Sequence, residues 1–170
     1  MSSERVGLLG GSFNPPHRGH VGMAEWVLSE GKVDQVWVIP CWRHPFAKRL
    51  EAFAHRYQMC CLAFQSLGPK VQVLDVEKKL GNESFTYRTV AHLKKENPGK
   101  RFYLLLGADT AREMDSWDRA EELKKEVGVV VIPRGPSSPV PNVSATAVRE
   151  HLEEGKGLEG LLPKSVMEYI

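Results

Sequence analysis

Five short apolar segments recur along the chain, and each is followed by a longer segment with polar positions and helical periodicity. The predicted strands are 5–10, 33–39, 71–76, 101–107 and 127–132. The predicted helices are 18–30, 51–67, 86–96, 118–126, 144–154 and 164–170. Apolar strands separated by helices are typical of a parallel sheet covered on both faces. Because crossovers in such sheets are right-handed, we expect an α/β fold, a Rossmann-like, doubly wound parallel sheet of about five strands with helices on both faces.

Composition narrows the class of protein. With 170 residues, 42% of them hydrophobic, we expect a single domain over 1–170, with the helical segment 144–170 packed as part of it. The net charge of +2 argues against a nucleic-acid partner. No apolar run approaches the roughly 18 residues that a membrane span needs, and the N-terminus does not resemble a signal peptide. Three cysteines without disulfide or zinc spacing predict a reduced, cytoplasmic protein with no metal site of its own.

The segment after the first predicted strand reads GGSFNPPHRGH over residues 10–20. Ligands of open parallel sheets bind beyond the carboxyl ends of the strands, which is where this segment lies. Gly10 and Gly11 allow a ligand to approach the backbone closely. His17 and His20 are three residues apart at a helix start, so their imidazoles share one face beside the amides and dipole that favour an anion. The spacing favours a phosphate site, while part of a metal site or an ordinary turn remain alternatives.

Other clusters also follow predicted strands. The basic run at 40–49 either attracts phosphates or is a solvated loop. The segment 82–89 predicts a helix start with Ser84 or Thr86 as its N-cap. Asp109 either holds a ribose hydroxyl or caps a helix, and Trp117 either stacks on a ring or is simply packed.

The late segment 142–149 offers hydroxyls and a guanidinium at another helix start. Ser144 and Thr146 supply the hydroxyls, and Arg149 has the planar fork that binds phosphate oxygens. The alternative is a helix cap with an ion-paired surface arginine.

GGSFNPPHRGH resembles the GGSFNPPHxGH form of the nucleotidyltransferase signature, and more narrowly that of the nicotinate mononucleotide adenylyltransferases of bacterial NAD synthesis. The run SATAVR at 144–149 resembles the second signature of that superfamily, Ser-x-Thr-x-x-Arg. The resemblance covers 6–170, with departures at 40–49 and at Phe85, where the family has tyrosine.

The resemblance implies roles for individual residues. His17, His20 and Arg149 would be catalytic. The implied ATP-binding residues are Gly10, Gly11, Ser12, Phe13, Gly107, Asp109, Ser144, Thr146 and Arg149. The implied mononucleotide-binding residues are Asn14, Lys48, Thr86 and Trp117.

The reaction that the resemblance implies is transfer of the adenylyl group of ATP, with Mg²⁺, to nicotinate mononucleotide. Its products are nicotinate adenine dinucleotide and pyrophosphate. A phosphate nucleophile is already anionic near neutral pH, so no general base is expected. One alternative is an adenylyl- or cytidylyltransferase that acts on another phosphorylated acceptor, such as nicotinamide mononucleotide or phosphopantetheine. The other is a catalytically silent nucleotide-binding module.

Overall fold

A computed structural model describes residues 3–42, 50–81, 85–133, 138 and 140–170. Its sheet has five parallel strands in the order β3-β2-β1-β4-β5. The strands are β1 (Glu4–Gly11), β2 (Gln35–Pro40), β3 (Val71–Val73), β4 (Lys100–Gly107) and β5 (Gly128–Ile132). The order places β1 at the centre and reverses direction between β1 and β4, as in doubly wound folds. The predicted fold class is confirmed.

Helices connect the strands throughout the described ranges. They are α1 (Arg18–Ser29), α2 (Phe53–Phe64), α3 (Val76–Leu80), α4 (Thr86–Glu96), α5 (Ala108–Glu113), α6 (Ala120–Glu126), α7 (Ala145–Glu153) and α8 (Lys164–Tyr169). Two 3₁₀ turns, Gln65–Lys70 and Met114–Ser116, follow α2 and α5.

Five predicted boundaries were wrong by two residues or more. The third strand ends at Val73, because Val76 begins α3 and buries its side chain beneath the sheet. The second helix was predicted to reach residue 67, but α2 ends at Phe64 and a 3₁₀ turn follows. The starts of β2, α2 and α6 each lie two residues later than predicted.

Two short helices were not predicted. Helix α3 has only five residues, and α5 buries none of its residues and carries no apolar stripe.

The sheet separates two apolar layers. On one face, Leu9 and Leu105 pack with side chains of α1 and α2, and Val148 of α7 and Val166 of α8 join the same layer. The opposite face packs against α3, α4 and α6 through the buried side chains Leu8, Leu104, Leu106, Val76, Val90, Leu93 and Leu123. Central strands that are buried on both faces explain the unbroken apolar runs in the sequence.

Three further features of the described residues concern the cysteine thiols, the lengths of the helices and the grouping of possible metal ligands. Cys41, Cys60 and Cys61 are free thiols, and burial raises the pKa of Cys60 well above its ordinary value. Across the ranges that the structure describes, no helix is long and apolar enough to span a membrane. Within the same ranges, no group of three or more His, Cys, Asp or Glu side chains is arranged to hold a metal ion.

Because their side chains are buried to different extents, we expect two apolar residues to contribute differently to the free energy of unfolding. Leu9→Ala removes a side chain that is 2% exposed at the centre of one layer, so we expect it to lower the free energy of unfolding by about 2–5 kcal/mol. Val131→Ala, on edge strand β5 at 50% exposure, is the control and should change it by less than about 0.5 kcal/mol. Urea unfolding followed by circular dichroism measures both, and equal losses would contradict the assignment of the core.

Candidate functional site

The turn between β1 and α1 forms the centre of the site. Phe13 has a left-handed backbone with φ of 48°, and the Asn14–Pro15 peptide bond is cis. The Phe13 ring is 1% exposed, packed edge-on to Phe64 with centroids 6.4 Å apart. A left-handed backbone costs a non-glycine residue roughly 1–3 kcal/mol, and burial of a phenyl ring gains a similar amount. The ring therefore stabilises the turn that leads into α1.

Two histidines at the start of α1, His17 as its N-cap and His20 in its first turn, accept backbone hydrogen bonds through their rings. The backbone N–H of Gly19 donates to Nδ1 of His17 at 3.1 Å, and the backbone N–H of His17 donates to Nδ1 of His20 at 3.1 Å. The two rings stack with centroids 3.7 Å apart and planes 20° apart. The prediction that both imidazoles lie on one face is confirmed. Since each Nδ1 accepts a hydrogen bond, a neutral ring carries its proton on Nε2, which is a donor.

The first amides of α1 bind groups of the protein itself. The N–H of Arg18 donates to the carbonyl of Leu161 at 2.9 Å, and that of His20 to the carbonyl of His17 at 3.1 Å. With the Gly19 amide on His17, the first three amides of the helix all have internal acceptors. The sequence interpretation, in which these amides cradle a phosphate, is corrected: the histidine rings and the helix dipole are what this end offers an anion.

Helix α7 reaches the same turn through a long-range contact. Ser144 is its N-cap and accepts a hydrogen bond from the Ala147 amide at 3.1 Å. One Arg149 nitrogen donates to the Asn14 carbonyl at 2.8 Å, and another donates to Oγ1 of Thr146 at 3.3 Å. These described contacts of Arg149 are to neutral oxygens, unlike the ion pair considered from the sequence. The signature residues of 10–20 and 144–149 are therefore adjacent in space.

A cleft opens beside the histidines, between α1 and the carboxyl ends of β4 and β5. Its cavity volume is about 10 Å³, and the rest of it is open to solvent. Its lining residues are Gly19, Met23, Gly107, Ile132, Pro133, Val140, Pro141 and Asn142. Of these, the sequence analysis named Gly107 as a site residue, while Gly19 and Asn142 lie in the segments 10–20 and 142–149. The lining is mostly apolar.

Glycines of α1 make the narrow side of this cleft. A Cβ at Gly22 would lie 2.6 Å from Cδ of Pro141, and one at Gly19 would lie 2.9 Å from Cε1 of His17 and 3.2 Å from the Pro141 carbonyl oxygen. The helix and the segment 140–142 approach so closely only because both positions lack side chains. The spacing His-x-Gly-His-x-Gly was the sequence signal for this contact.

The end of β4 carries two further candidates. Gly107 is the N-cap of α5, and Asp109, in the first turn, is exposed and ion-paired with Arg112. Asp109 is thus inside the helix and does not cap it. Trp117 follows the 3₁₀ turn and is half-buried against the layer that contains α4 and α6.

Three of the four residues predicted to bind the mononucleotide, Asn14, Thr86 and Trp117, lie within the described ranges. The Asn14 side-chain oxygen accepts a hydrogen bond from the Glu51 amide at 3.2 Å. The N-cap of α4 is Phe85, without a side-chain hydrogen bond, so the prediction of Thr86 as a cap was wrong: Thr86 is the first helical residue. Ser84 and Lys48 lie outside the described residues.

The geometry defines a class of protein. Stacked imidazoles, helix-start hydroxyls and a guanidinium converge at the carboxyl edge of the central strand, next to an apolar cleft. Such donors bind phosphate oxygens, and ligands of open parallel sheets bind at this edge. The arrangement is that of a nucleotide-binding α/β protein with a Rossmann-like sheet.

Comparisons with known proteins narrow the class. Residues 8–151 match the family model described as Cytidylyltransferase-like. A relative from Anaeromyxobacter dehalogenans named "Probable nicotinate-nucleotide adenylyltransferase" is 38% identical, covering 100% of this chain and 96% of its own length. A relative of the same name from Myxococcus xanthus is 33% identical, covering 97% and 90%.

A solved structure shares the fold. The Plasmodium falciparum nicotinic acid mononucleotide adenylyltransferase complexed with NaAD superposes with a TM-score of 0.84 at 20% identity, covering 98% of this chain and 94% of that one. The chain belongs to the cytidylyltransferase-like family and, within it, to the nicotinate-nucleotide adenylyltransferases. The resemblance stated from the sequence is confirmed, and the chain is a nucleotidyltransferase.

The contact between Gly19 and His17 predicts a local effect of one methyl group. In Gly19→Ala, the new Cβ would displace the His17 ring and weaken its hydrogen bond to the residue 19 amide. Long-range ¹H–¹⁵N spectra should show both rings of the original protein protonated on Nε2 at neutral to mildly alkaline pH, and an altered His17 signal in the variant. Gly99→Ala is the control, because a Cβ there meets nothing within 4 Å. An Nδ1–H tautomer at either ring would contradict the described hydrogen bonds.

Proposed function

We propose that the protein transfers the adenylyl group of ATP to nicotinate mononucleotide, forming nicotinate adenine dinucleotide and pyrophosphate in NAD biosynthesis. The observation that carries the proposal is the histidine pair, fixed as Nε2 donors beside the turn that Arg149 contacts. Family membership supplies the substrates: the relatives are named for the nicotinate nucleotide, and the Plasmodium enzyme is complexed with NaAD.

The chemistry needs positioned donors rather than a base. An oxygen of the mononucleotide 5′-phosphate attacks the α-phosphorus of ATP, a new P–O bond forms, and the bond from the α-phosphorus to the bridging oxygen breaks. The electron pair leaves with pyrophosphate. Because the attacking oxygen is already anionic, catalysis consists of alignment and charge stabilisation. We assign His17 and His20 to the α-phosphate, with Nε2 of His20 donating to its oxygens as their charge rises.

The ATP half of the site lies on β1, β4 and α7. Gly10, Gly11, Ser12 and Phe13 form the edge over which ATP lies. Gly107 and Asp109 face the ribose, and Asp109 exchanges its exposed ion pair with Arg112 for a hydroxyl at little cost.

The leaving group is held from α7. Ser144, Thr146 and Arg149 bind the β- and γ-phosphates, and a guanidinium has five N–H donors, enough to hold phosphate as well as its present partners. Mg²⁺ enters with ATP as part of the substrate, bound to phosphate oxygens.

The acceptor half comprises Asn14, Lys48, Thr86 and Trp117. Asn14 is next to the histidines in the same turn, and Trp117 offers a ring for the pyridine to stack on. The Thr86 backbone at the start of α4 faces the pyridine carboxylate, and Lys48 contacts phosphate. We further propose that residues 1–170 act as one catalytic domain, that the protein is cytoplasmic, and that it acts without nucleic-acid or membrane partners.

Pyrophosphate release from Mg-ATP tests the proposal. Nicotinate mononucleotide, nicotinamide mononucleotide and phosphopantetheine are compared at equal concentrations. We expect kcat/KM to be at least about tenfold higher for the nicotinate substrate, since a single well-placed contact to a distinguishing group contributes that much. Preference for another acceptor would redirect the function, and no release with any acceptor would favour a silent nucleotide-binding module.

Loss of the His20 imidazole should lower turnover with little effect on the fold. We expect His20→Ala to reduce kcat by about 10²–10³, the usual cost of one preorganised donor. Because Nδ1 of His20 also accepts the His17 amide, His20→Asn is the companion variant: it retains a side-chain acceptor and lacks Nε2. His92→Ala, on α4, is the control for removing a histidine elsewhere. Near-normal turnover in His20→Asn would refute the assigned role.

A further inference from the structure

One arginine is buried beneath the site without being among the assigned residues. Arg56, on α2, is 1% exposed, the most buried charged side chain in the described ranges. Its Nε donates to the carbonyl of Glu51 at 2.8 Å. One terminal nitrogen donates to the carbonyls of Ser12 at 2.9 Å and Cys41 at 2.8 Å. Its described hydrogen bonds therefore reach three backbone segments.

These acceptors belong to distinct parts of the site. Ser12 begins the turn that leads to the two histidines, Cys41 follows the end of β2, and Glu51 precedes α2. A planar guanidinium holds such acceptors in fixed directions, whereas an ammonium group does not. The Phe53 ring, with its centroid 5.5 Å from Cζ of Arg56, restricts the guanidinium further.

Asn14 and Arg56 both form hydrogen bonds with the backbone of Glu51. The Glu51 amide donates to the Asn14 side chain at 3.2 Å, while the Glu51 carbonyl accepts from Arg56. The Glu51 N–H is thus bound by Asn14 of the turn, and the Glu51 carbonyl is bound by Arg56, which also binds the turn at Ser12. A shift of Arg56 would move the Asn14 side chain together with the Ser12 carbonyl.

We propose that Arg56 is a positioning residue for the acceptor half of the reaction, an inference that rests on the proposed function. It fixes the Ser12–Asn14 turn relative to the start of α2, and so aligns the mononucleotide phosphate with the histidine pair. Of the residues assigned to ATP, Ser12 is the one whose carbonyl accepts from Arg56. Gly107, Asp109 and α7 lie on elements that the described hydrogen bonds of Arg56 do not reach, so the ATP half depends on it less.

Arg56→Lys tests the proposal by steady-state kinetics. A misplacement of about 1 Å costs near 10²-fold in rate, so we expect kcat to fall at least about tenfold. We expect the KM for nicotinate mononucleotide to rise at least about fivefold, and the KM for Mg-ATP to stay within about threefold. Rates are expressed per folded molecule, with the folded fraction taken from circular dichroism at the assay temperature.

Arg5→Lys is the matched control. Arg5 also donates to a backbone carbonyl, that of Lys32, but at the opposite end of β1. We expect its kcat and both KM values to remain within about twofold. A role of Arg56 in stability alone would lower the folded fraction and leave both KM values unchanged, which would overturn the proposal. Failure of the original protein to turn over the nicotinate substrate would count against the proposed function instead.

A measurement on the unaltered protein covers the case in which Arg56→Lys does not fold. With ¹⁵N-arginine labelling, the Arg56 Nε–H that donates to Glu51 gives a side-chain signal. We expect this signal to shift on addition of nicotinate mononucleotide and to shift less with Mg-ATP alone, because Ser12 is the one ATP-binding residue among the described hydrogen-bond partners of Arg56. An equal response to both substrates, or no response to the mononucleotide, would overturn the proposal.

Discussion

Two guanidinium groups hold the carbonyl oxygens of one turn, and the rest of the site depends on these contacts. Arg56 holds Ser12 from α2, and Arg149 holds Asn14 from α7. Between them, Phe13 takes a left-handed backbone and buries its ring. The turn then enters α1, where the His20 ring accepts from the His17 amide and the His17 ring accepts from the Gly19 amide. A loop that would otherwise be mobile is fixed in this way by side chains from two distant helices.

The fold was predictable because its strands are buried on both faces. Such strands appear as continuous apolar runs, and the alternation with helices determines a parallel sheet. The shared face of His17 and His20 followed from their spacing on a helix. Helix α5 was missed for the converse reason: it buries none of its residues, so no periodicity marks it. The cap at Thr86 was misplaced by one residue, because Phe85 ends the extended backbone without a capping side chain.

Contacts between distant segments could not be obtained from local patterns. Arg149 and Asn14 are 135 residues apart, and they meet because α7 packs into the same apolar layer as α1. The cleft lining has the same origin, since Met23, Ile132 and Pro141 belong to separate elements and carry no chemical signature of their own. The hydrogen bonds of the first α1 amides could not be predicted for the same reason. The sequence does not show that the distant Leu161 carbonyl accepts from the Arg18 amide.

The fixed tautomer of the histidine pair has a consequence for inhibitor design. With each Nδ1 accepting a backbone hydrogen bond, a neutral ring keeps its one N–H on Nε2, so a ligand group that contacts Nε2 must supply an acceptor. A phosphonate or sulfonate head group, rich in acceptors, complements it. An amidine or primary ammonium group offers only donors and is rejected, even where its size would fit.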